Sequence, residues 1–368
     1  MDMKSFMVDD YFTEYESKAK YMMGSSDPET LFFKNCSADI HKYNENTLSY
    51  SLGNGYLPLR EKISSLYENV CADNIAVMNG GEEVIYVTMR ALLNAGDEIV
   101  VQMPSYQSLH VIAKEIGCRI IDFRPSFEQK WEFDIDMLKS KVCEKTKAIV
   151  LNYPHNPTGA CLTYAEMEDI SSFCRERGII LIADEMYRFL RIDDNCTDAS
   201  FADVYENAVV FGGFSKTFAS PGLRIGWAAA KNEELMKKML AYRHFTSTCT
   251  NLPCQWIANE LLYKKEEIIN RNISIIKKNA GILNQFIKKH PDIFSYVPPK
   301  GASTAYVKLL GGRKAMNFCM EILDNTGVLI VPSAVLDNSD EYLRIGICRE
   351  NFAQCAELLD EYLILKKI

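Results

Sequence analysis

Lys216 closes an apolar run within FGGFSKTFASPGLRIGW, Phe211 to Trp227, and Arg224 follows eight residues later beyond a Pro-Gly turn. A lysine at the end of a strand is ordinarily a solvated charge. One that is partly buried beside a second cation gives up its proton readily, and the free amine can then form a Schiff base with an aldehyde. Arg224 suits the part of that cation while its planar guanidinium grips a phosphate through paired hydrogen bonds. Other residues able to do chemistry sit in short punctuated segments: Asn156 in YPHNPTG, Asp184 and Tyr187 in ADEMY, Tyr106 in MPSYQSL and Arg344 in YLRIGI. Taken singly, Asp184 reads as a helix cap, Asn156 as a turn residue before proline, Tyr106 as a core aromatic and Arg344 as an exposed strand charge.

These residues need elements to position them. From about residue 75, β-branched runs alternate with helical patterns, and the candidate strands are Ile75–Asn79, Glu98–Gln102, Arg119–Phe123, Ala148–Asn152, Ile179–Asp184, Val209–Phe214 and Arg224–Ala230. Most are apolar on both faces, as strands covered on both sides must be. Amphipathic stretches at Glu82–Leu93, Ser105–Ile116 and Tyr164–Arg177 lie between them, which predicts a mostly parallel sheet between helical layers. Arg224–Ala230 follows its predecessor too closely for a helical crossover and is expected to run antiparallel. Ligands of such sheets gather at the C-terminal strand ends, where the polar residues above fall. After about residue 232 the pattern changes to long helices, Glu233–Tyr242 and a bent Cys254–His290. A short α+β segment follows, with strands at Phe294–Pro298, Ser303–Lys308, Val328–Val331 and Glu341–Gly346 and a helix near Arg313–Asn325.

A chain of 368 residues is long enough for one large core and a smaller one. Its composition, 48% hydrophobic and 24% charged, is that of a globular protein, and the net charge of −8 argues against a nucleic-acid or membrane surface. The twelve cysteines form no C-x-x-C pair or zinc-spaced cluster and read as reduced thiols. The acidic start (Asp2, Asp9, Asp10, Glu14, Glu16) is the reverse of a targeting segment, and no apolar run approaches the roughly 18 residues of a membrane helix, so the expected location is cytoplasmic.

The lysine motif S-K, seven residues, then R-x-G resembles that of fold-type-I enzymes dependent on pyridoxal 5′-phosphate (PLP), the aspartate aminotransferase superfamily, and further motifs recur in that family's order along nearly the whole chain. The resemblance implies a large domain with a seven-stranded mostly parallel sheet between helices, plus a smaller α+β domain. Residues 36–253 are expected to form the large PLP-binding domain, 254–282 a linking helix, and 1–35 with 283–368 the small domain and its N-terminal arm. It implies that Lys216 carries the cofactor as a Schiff base, that Asn156 and Tyr187 bond its phenolic oxygen, and that Asp184 keeps its pyridine nitrogen protonated, so that the ring accepts electrons from Cα. Tyr106 would stack on the ring, while Gly80, Gly81 and Glu82 in MNGGEE would open a helix onto the phosphate beside Arg224. Tyr50, with Gly55 and Arg60 in YSLGNGYLPLR, resembles the segment whose tyrosine reaches the partner's phosphate in a homodimer, and Arg344 the arginine that clamps the substrate carboxylate. One departure is Gly213, where the family usually has a phosphate-binding serine or threonine; Ser215 or a water is the expected substitute.

Among such enzymes, several segments are similar to capreomycidine synthase and to related enzymes that cyclise hydroxylated arginine, including the L-enduracididine-forming type. These are VDDYF (Val8–Phe12), SKAKYMMGSS (Ser17–Ser26), PSYQSL (Pro104–Leu109), YPHNPTGACL (Tyr153–Leu162), PKGASTAYVKL (Pro299–Leu309) and GVLIVPSAVLDNSDEYLRIG (Gly327–Gly346). Common aminotransferases carry G-x-P near the N-terminus; the corresponding MMGSSDPE, Met22 to Glu29, lacks that spacing. The subgroup chemistry implies a small amino-acid substrate that loses its hydroxyl and closes a ring through its guanidine. Asp9 and Asp10 are the candidate partners of that guanidinium, with Ser25 and Ser26 in the same pocket. An ordinary aminotransferase is the alternative. A PLP-binding transcriptional regulator is disfavoured because no helix-turn-helix precedes the fold, and a silent relative because lysine, aspartate and arginine are intact.

Overall fold

The computed structural model describes residues 5–36, 40–337 and 339–366. Thirteen strands are described, in chain order β1 (Tyr21–Met22), β2 (Ile75–Met78), β3 (Glu98–Gln102), β4 (Arg119–Phe123), β5 (Thr146–Asn152), β6 (Ile180–Asp184), β7 (Ala208–Gly213), β8 (Gly226–Ala229), β9 (Phe294–Tyr296), β10 (Thr304–Leu309), β11 (Val328–Leu329), β12 (Val331–Pro332) and β13 (Tyr342–Gly346). Seven of them form one sheet in the order β2-β8-β7-β6-β5-β3-β4. β3 to β7 run parallel, and β8 is antiparallel to both of its neighbours. The chain is therefore an α/β protein built on a seven-stranded, mostly parallel sheet.

Burial explains the composition of these strands. β3 and β6 are buried at every position because helices cover both faces of the sheet, whereas the edge strand β4 exposes Arg119 and Asp122. One face packs Ile75, Val77, Val100, Ile149, Leu181 and Val210; the other packs Ala76, Ile99, Val150, Ile182, Val209 and Phe211. That split is the alternation of successive side chains across a pleated strand.

The second core is formed around a four-stranded sheet, β12-β13-β10-β9, in which all three pairings are antiparallel, and by the Lys265–Lys289, Ala315–Thr326 and Phe352–Lys366 helices. The single strand expected over Val328–Val331 is divided between two partners. β11 pairs in parallel with β1, and β12 pairs with β13. Ile330 lies between them, and its carbonyl accepts a hydrogen bond from Tyr11 Oη at 2.7 Å. The expected bent helix is the Leu252–Leu261 helix, one 3₁₀ turn at Leu262–Lys264, and the Lys265–Lys289 helix. No described helix is long and apolar enough to cross a membrane.

Candidate active site

Parallel pairing brings the C-terminal ends of β5, β6 and β7 side by side, with Asn152 opposite Asp184 and Asp184 opposite Phe211. They form the floor of a cavity of about 330 Å³, lined by Asn152, Asn156, Asp184, Tyr187, Ser215 and Lys216. Asn152 fixes the floor, its backbone N–H donating to Gln102 Oε1 at 2.9 Å and its side-chain Nδ2 to the Asp184 carbonyl at 2.8 Å. It also accepts the Asn156 backbone N–H at 2.9 Å. Asn156 is thereby held with its side chain at the wall, and its buried Oδ1 has no partner among the described residues. The Asn156 loop is braced by His155, whose ring bonds Thr158 Oγ1 at 2.7 Å and the Pro104 carbonyl at 2.8 Å.

Asp184 is 6% exposed. Burial lifts its carboxyl to about 6, against the opposing pull of the Met186 N–H, 3.0 Å away, and of Lys216. A carboxylate so placed gains by meeting a cationic or proton-donating ring nitrogen. Tyr106 and Glu82 line the wall across from it. Burial pushes the Tyr106 hydroxyl well above the ordinary tyrosine range, with the Glu82 charge adding to the effect. Burial also raises Glu82, opposed by hydrogen bonds from Ser108 and Tyr106.

The Gly81–Leu92 helix opens at the same wall, where Gly81 and Glu82 line the cavity. Gly80 caps it at φ +84°, and a Cβ there would lie 2.6 Å from Arg224 Nη2. Gly226 is pressed on the same turn, since its Cβ would meet Gly80 C at 2.6 Å. Arg224 itself is in the left-handed region at φ 52° and donates Nη1 to the Pro221 carbonyl at 3.1 Å. It precedes β8 instead of forming part of it, as the expected strand had it. Helix-opening N–H groups, a close backbone and a guanidinium thus converge as a phosphate needs them. Gly213 also has a physical reason: a Cβ would lie 2.7 Å from Met186 Cε, so the thioether takes the room of a hydroxyl-bearing side chain.

The opposite wall comes from chain ends. Arg344, on β13 and 3% exposed, donates Nη2 to the Gly24 carbonyl at 3.0 Å, and its buried Nε has no partner among the described residues. Burial draws its pKa below the ordinary arginine value, with Tyr187 and Asp27 opposing. The unused donor edge suits a carboxylate. Ser25, Ser26 and Asp27 line this side, and so do Val8, Asp9 and Phe12 of the Met7–Tyr15 helix. That helix is docked at its start on Gln107, which accepts the Met7 N–H at 2.9 Å and donates to the Ser5 carbonyl at 2.8 Å, while Phe6 packs on the Tyr106 ring. Burial raises the Asp9 carboxyl, with Asp10 adding to the effect and Lys216 and Arg344 opposing it.

Two predicted site residues fall elsewhere. Asp9 and Asp10 are both exposed, but only Asp9 lines the cavity; Asp10, one residue on and so turned to another side of the helix, accepts a hydrogen bond from Ser5. Tyr50 is 87% exposed and not on the cavity wall. Asp27 went unread, although among the described residues it is the one carboxylate ion-paired with Lys216, at 2.6 Å. Its signal was an acidic side chain inside MMGSSDPE, where Asp-Pro reads first as a turn.

A lysine, a buried carboxylate and a phosphate-shaped turn at the strand ends of this sheet define a PLP-dependent enzyme. Residues 25–361 match the family model described as "Aminotransferase class I and II", and the chain belongs to that family, whose cofactor is PLP. It is 28% identical over 338 residues to an aspartate aminotransferase of Sulfurisphaera tokodaii, covering 86% of this chain and 84% of that one. A PLP-dependent aminotransferase from Streptococcus suis superposes with a TM-score of 0.93 at 28% identity, covering 99% of each chain. The PLP-dependent cyclase OrfR superposes with a TM-score of 0.92 at 24% identity, covering 100% of this chain and 98% of that one, a likeness of fold. The residues present fit the cofactor: Asp184 for its ring nitrogen, the Asn156 side chain at the cavity wall for its phenolic oxygen, and the Gly80–Glu82 turn with Arg224 for its phosphate.

Proposed function

We propose that this enzyme removes water from a hydroxylated L-arginine and closes it to a cyclic guanidine amino acid of the capreomycidine or enduracididine type. The carrying observation is the charge on the cavity wall. Its cations, among the described residues, are Lys216, Arg224 and Arg344. In this reading they serve the cofactor aldehyde, the cofactor phosphate and the substrate α-carboxylate. Of the carboxylates Asp9, Asp27, Glu82 and Asp184, only Asp184 is taken by the cofactor ring. Asp27 is paired with Lys216, and Asp9 and Glu82 remain, which favours a cationic side chain and leaves no further cation for a dicarboxylate substrate. The resemblance of Val8–Phe12 and Ser17–Ser26 to the hydroxyarginine cyclases agrees with this, as does the fold shared with a PLP-dependent cyclase.

When bound, PLP supplies an electron sink for the pair left at Cα. Arg344 holds the α-carboxylate and fixes which bond at Cα faces Lys216. The Lys216 amine takes the Cα proton and later returns it. Asp9 pairs with the guanidinium and accepts its proton as nitrogen attacks. The C–O bond breaks, a C–N bond forms, and the hydroxyl leaves as water with the proton that nitrogen gives up. A hydroxyl on Cβ gives a six-membered ring; one on Cγ gives a five-membered ring after a second deprotonation at Cβ, which regains a proton as nitrogen adds at Cγ. The Met7–Tyr15 helix shields the site from water, which competes with the guanidine for the alkene.

The second reading, an ordinary aminotransferase, is favoured by the activity named for its relatives. Mass spectrometry of products from arginine and its 3- and 4-hydroxy derivatives separates the two. A product one water lighter than a hydroxyarginine supports cyclisation, and a keto acid made only with an amino acceptor sinks it.

A homodimer with Tyr50 contributed across the interface belongs to the same proposal. Leu48, Tyr50, Leu52 and Phe245 are 82%, 87%, 61% and 88% exposed, and Ser51 bonded to the Thr250 carbonyl keeps the two segments adjacent. Apolar side chains so bare favour a covering partner. The division into 36–253, 254–282 and 1–35 with 283–368 likewise stands as our proposal.

A further inference from the structure

Lys216 Nζ is bonded on the far side of the cavity from the sheet it grows out of. It donates to Ser26 Oγ at 2.9 Å and to Asp27 Oδ1 at 2.6 Å. Both acceptors are held by their own frame. The Ser26 carbonyl accepts Ser303 Oγ at 2.6 Å, the Asp27 N–H donates to Ser25 Oγ at 3.2 Å, and Cys348 Sγ donates to the Asp27 carbonyl at 3.0 Å. The segment is pressed on β13 so closely that Gly346 has no room for a Cβ beside the Ser25 carbonyl. The seat is thus built into the second sheet and does not follow the lysine.

We propose that Asp27, with Ser26, is a positioning residue for Lys216: in the cofactor-free chain it holds the amine as an ammonium, and so gates its attachment to the cofactor. Partial burial weakens the ammonium, and a carboxylate 2.6 Å away restores it, so the partner decides the charge. The charged and titratable groups facing Lys216 are Asp27, Tyr187, Arg344, Asp184, Asp9 and Cys348. Burial works against the ammonium, but Tyr187 and Asp27 outweigh it, and the net displacement is upward in spite of Arg344. On the Asp27 side, burial opposes the charged form and is outweighed by Lys216, Arg349 and Arg344. The two arginines keep the carboxylate from being stranded when the lysine is linked to the cofactor. Attachment requires the neutral amine, so the pair holds it back at neutral pH.

The proposal rests on Lys216 being the lysine that carries the cofactor. The test follows the visible band as the cofactor-free full chain captures PLP, and separately pyridoxal without its phosphate, across pH. For Asp27→Asn the profile is expected to move down by about one pH unit, with capture about tenfold faster near neutrality. Asp27→Glu should restore the parent profile, and pyridoxal should show the same displacement. A profile that coincides with the parent, capture slower at every pH, or a shift seen only with PLP (steering of the phosphate) overturns the proposal. Should Asp27→Asn fail to fold, Ser26→Ala is expected to shift the profile the same way by less, and no shift overturns it. Lys216→Ala that still gains the band would show instead that the lysine assignment had failed.

Discussion

The cavity wall that faces the seven-stranded sheet is made of residues locked by the sheet's own strand pairing and by close backbone contacts. Asn152 bonds the Asp184 carbonyl across adjacent strands, the Asn156 N–H bonds Asn152, and Gly226 is flattened on Gly80. The facing wall is assembled from remote pieces: Arg344 meets Gly24 across 320 residues of chain, and Ser303 meets Ser26 across 277. In the reading we propose, the polar groups of the first wall serve the cofactor. On the second, Asp9 and Asp27 are free to be set by the substrate and by Lys216. A family can therefore keep one wall and change its chemistry through the other.

Breaking the cofactor wall should have the largest effect. Lys216→Ala is expected to lose both the visible band of the lysine-bound cofactor and all turnover; a variant that keeps the band and turns over would displace Lys216 from its role. Asp184→Ala should still capture the cofactor but lose on the order of a hundredfold or more in turnover, since the ring nitrogen loses its counter-charge. Activity within a few-fold of the parent would contradict that.

On the substrate wall, Asp9→Asn should weaken hydroxyarginine binding about ten- to a hundredfold, one charge-assisted hydrogen bond, with the cofactor spectrum intact. Asp10→Asn, whose side chain is turned away, should bind like the parent. Because burial raises the Asp9 carboxyl, hydroxyarginine binding should begin to fade on acidification at a higher pH than for an ordinary aspartate. Equal losses at the two positions in a spectral titration would mean that the helix, and not one carboxylate, makes the contact.

The smallest effect lies behind the cofactor wall, where Glu185 accepts the Phe201 N–H at 2.8 Å and burial lifts its carboxyl to about 7, with Arg188 opposing. The unfolded chain loses this proton near 4.3 while the fold keeps it to about 7, so stability from this group is full below the lower value and falls as pH rises to the higher one. Glu185→Gln should therefore be more stable than the parent at pH 8, by on the order of 2 kcal/mol, and gain little at pH 4. His155, held down at about 4 by burial, works in the opposite sense, being stabilising above pH 6.5 and less so as pH falls, and would mask the trend in the parent alone. Denaturation of both proteins at the two pH values checks the difference.

The sequence by itself determined the sheet and the cofactor wall. Apolar runs ending in Asn152, Asp184 and Gly213 are strands because both faces are covered, and the residue at the end of a parallel strand must project into the crevice. The short β7-to-β8 connection required an antiparallel return, and the two are paired that way. The split of Val328–Val331 was not legible, because a run of valine, leucine and isoleucine satisfies either partner equally and only the position of β1 divides it. Nor could the order of residues distinguish Asp9 from Asp10, two adjacent acids in a helix whose orientation is set by Gln107 and Ile330, or mark Asp27 as the partner of a lysine 189 positions away. Local pattern decides what a strand end presents because the backbone fixes it there; what faces it across the cavity depends on contacts between distant segments, and those exist only once the chain has folded.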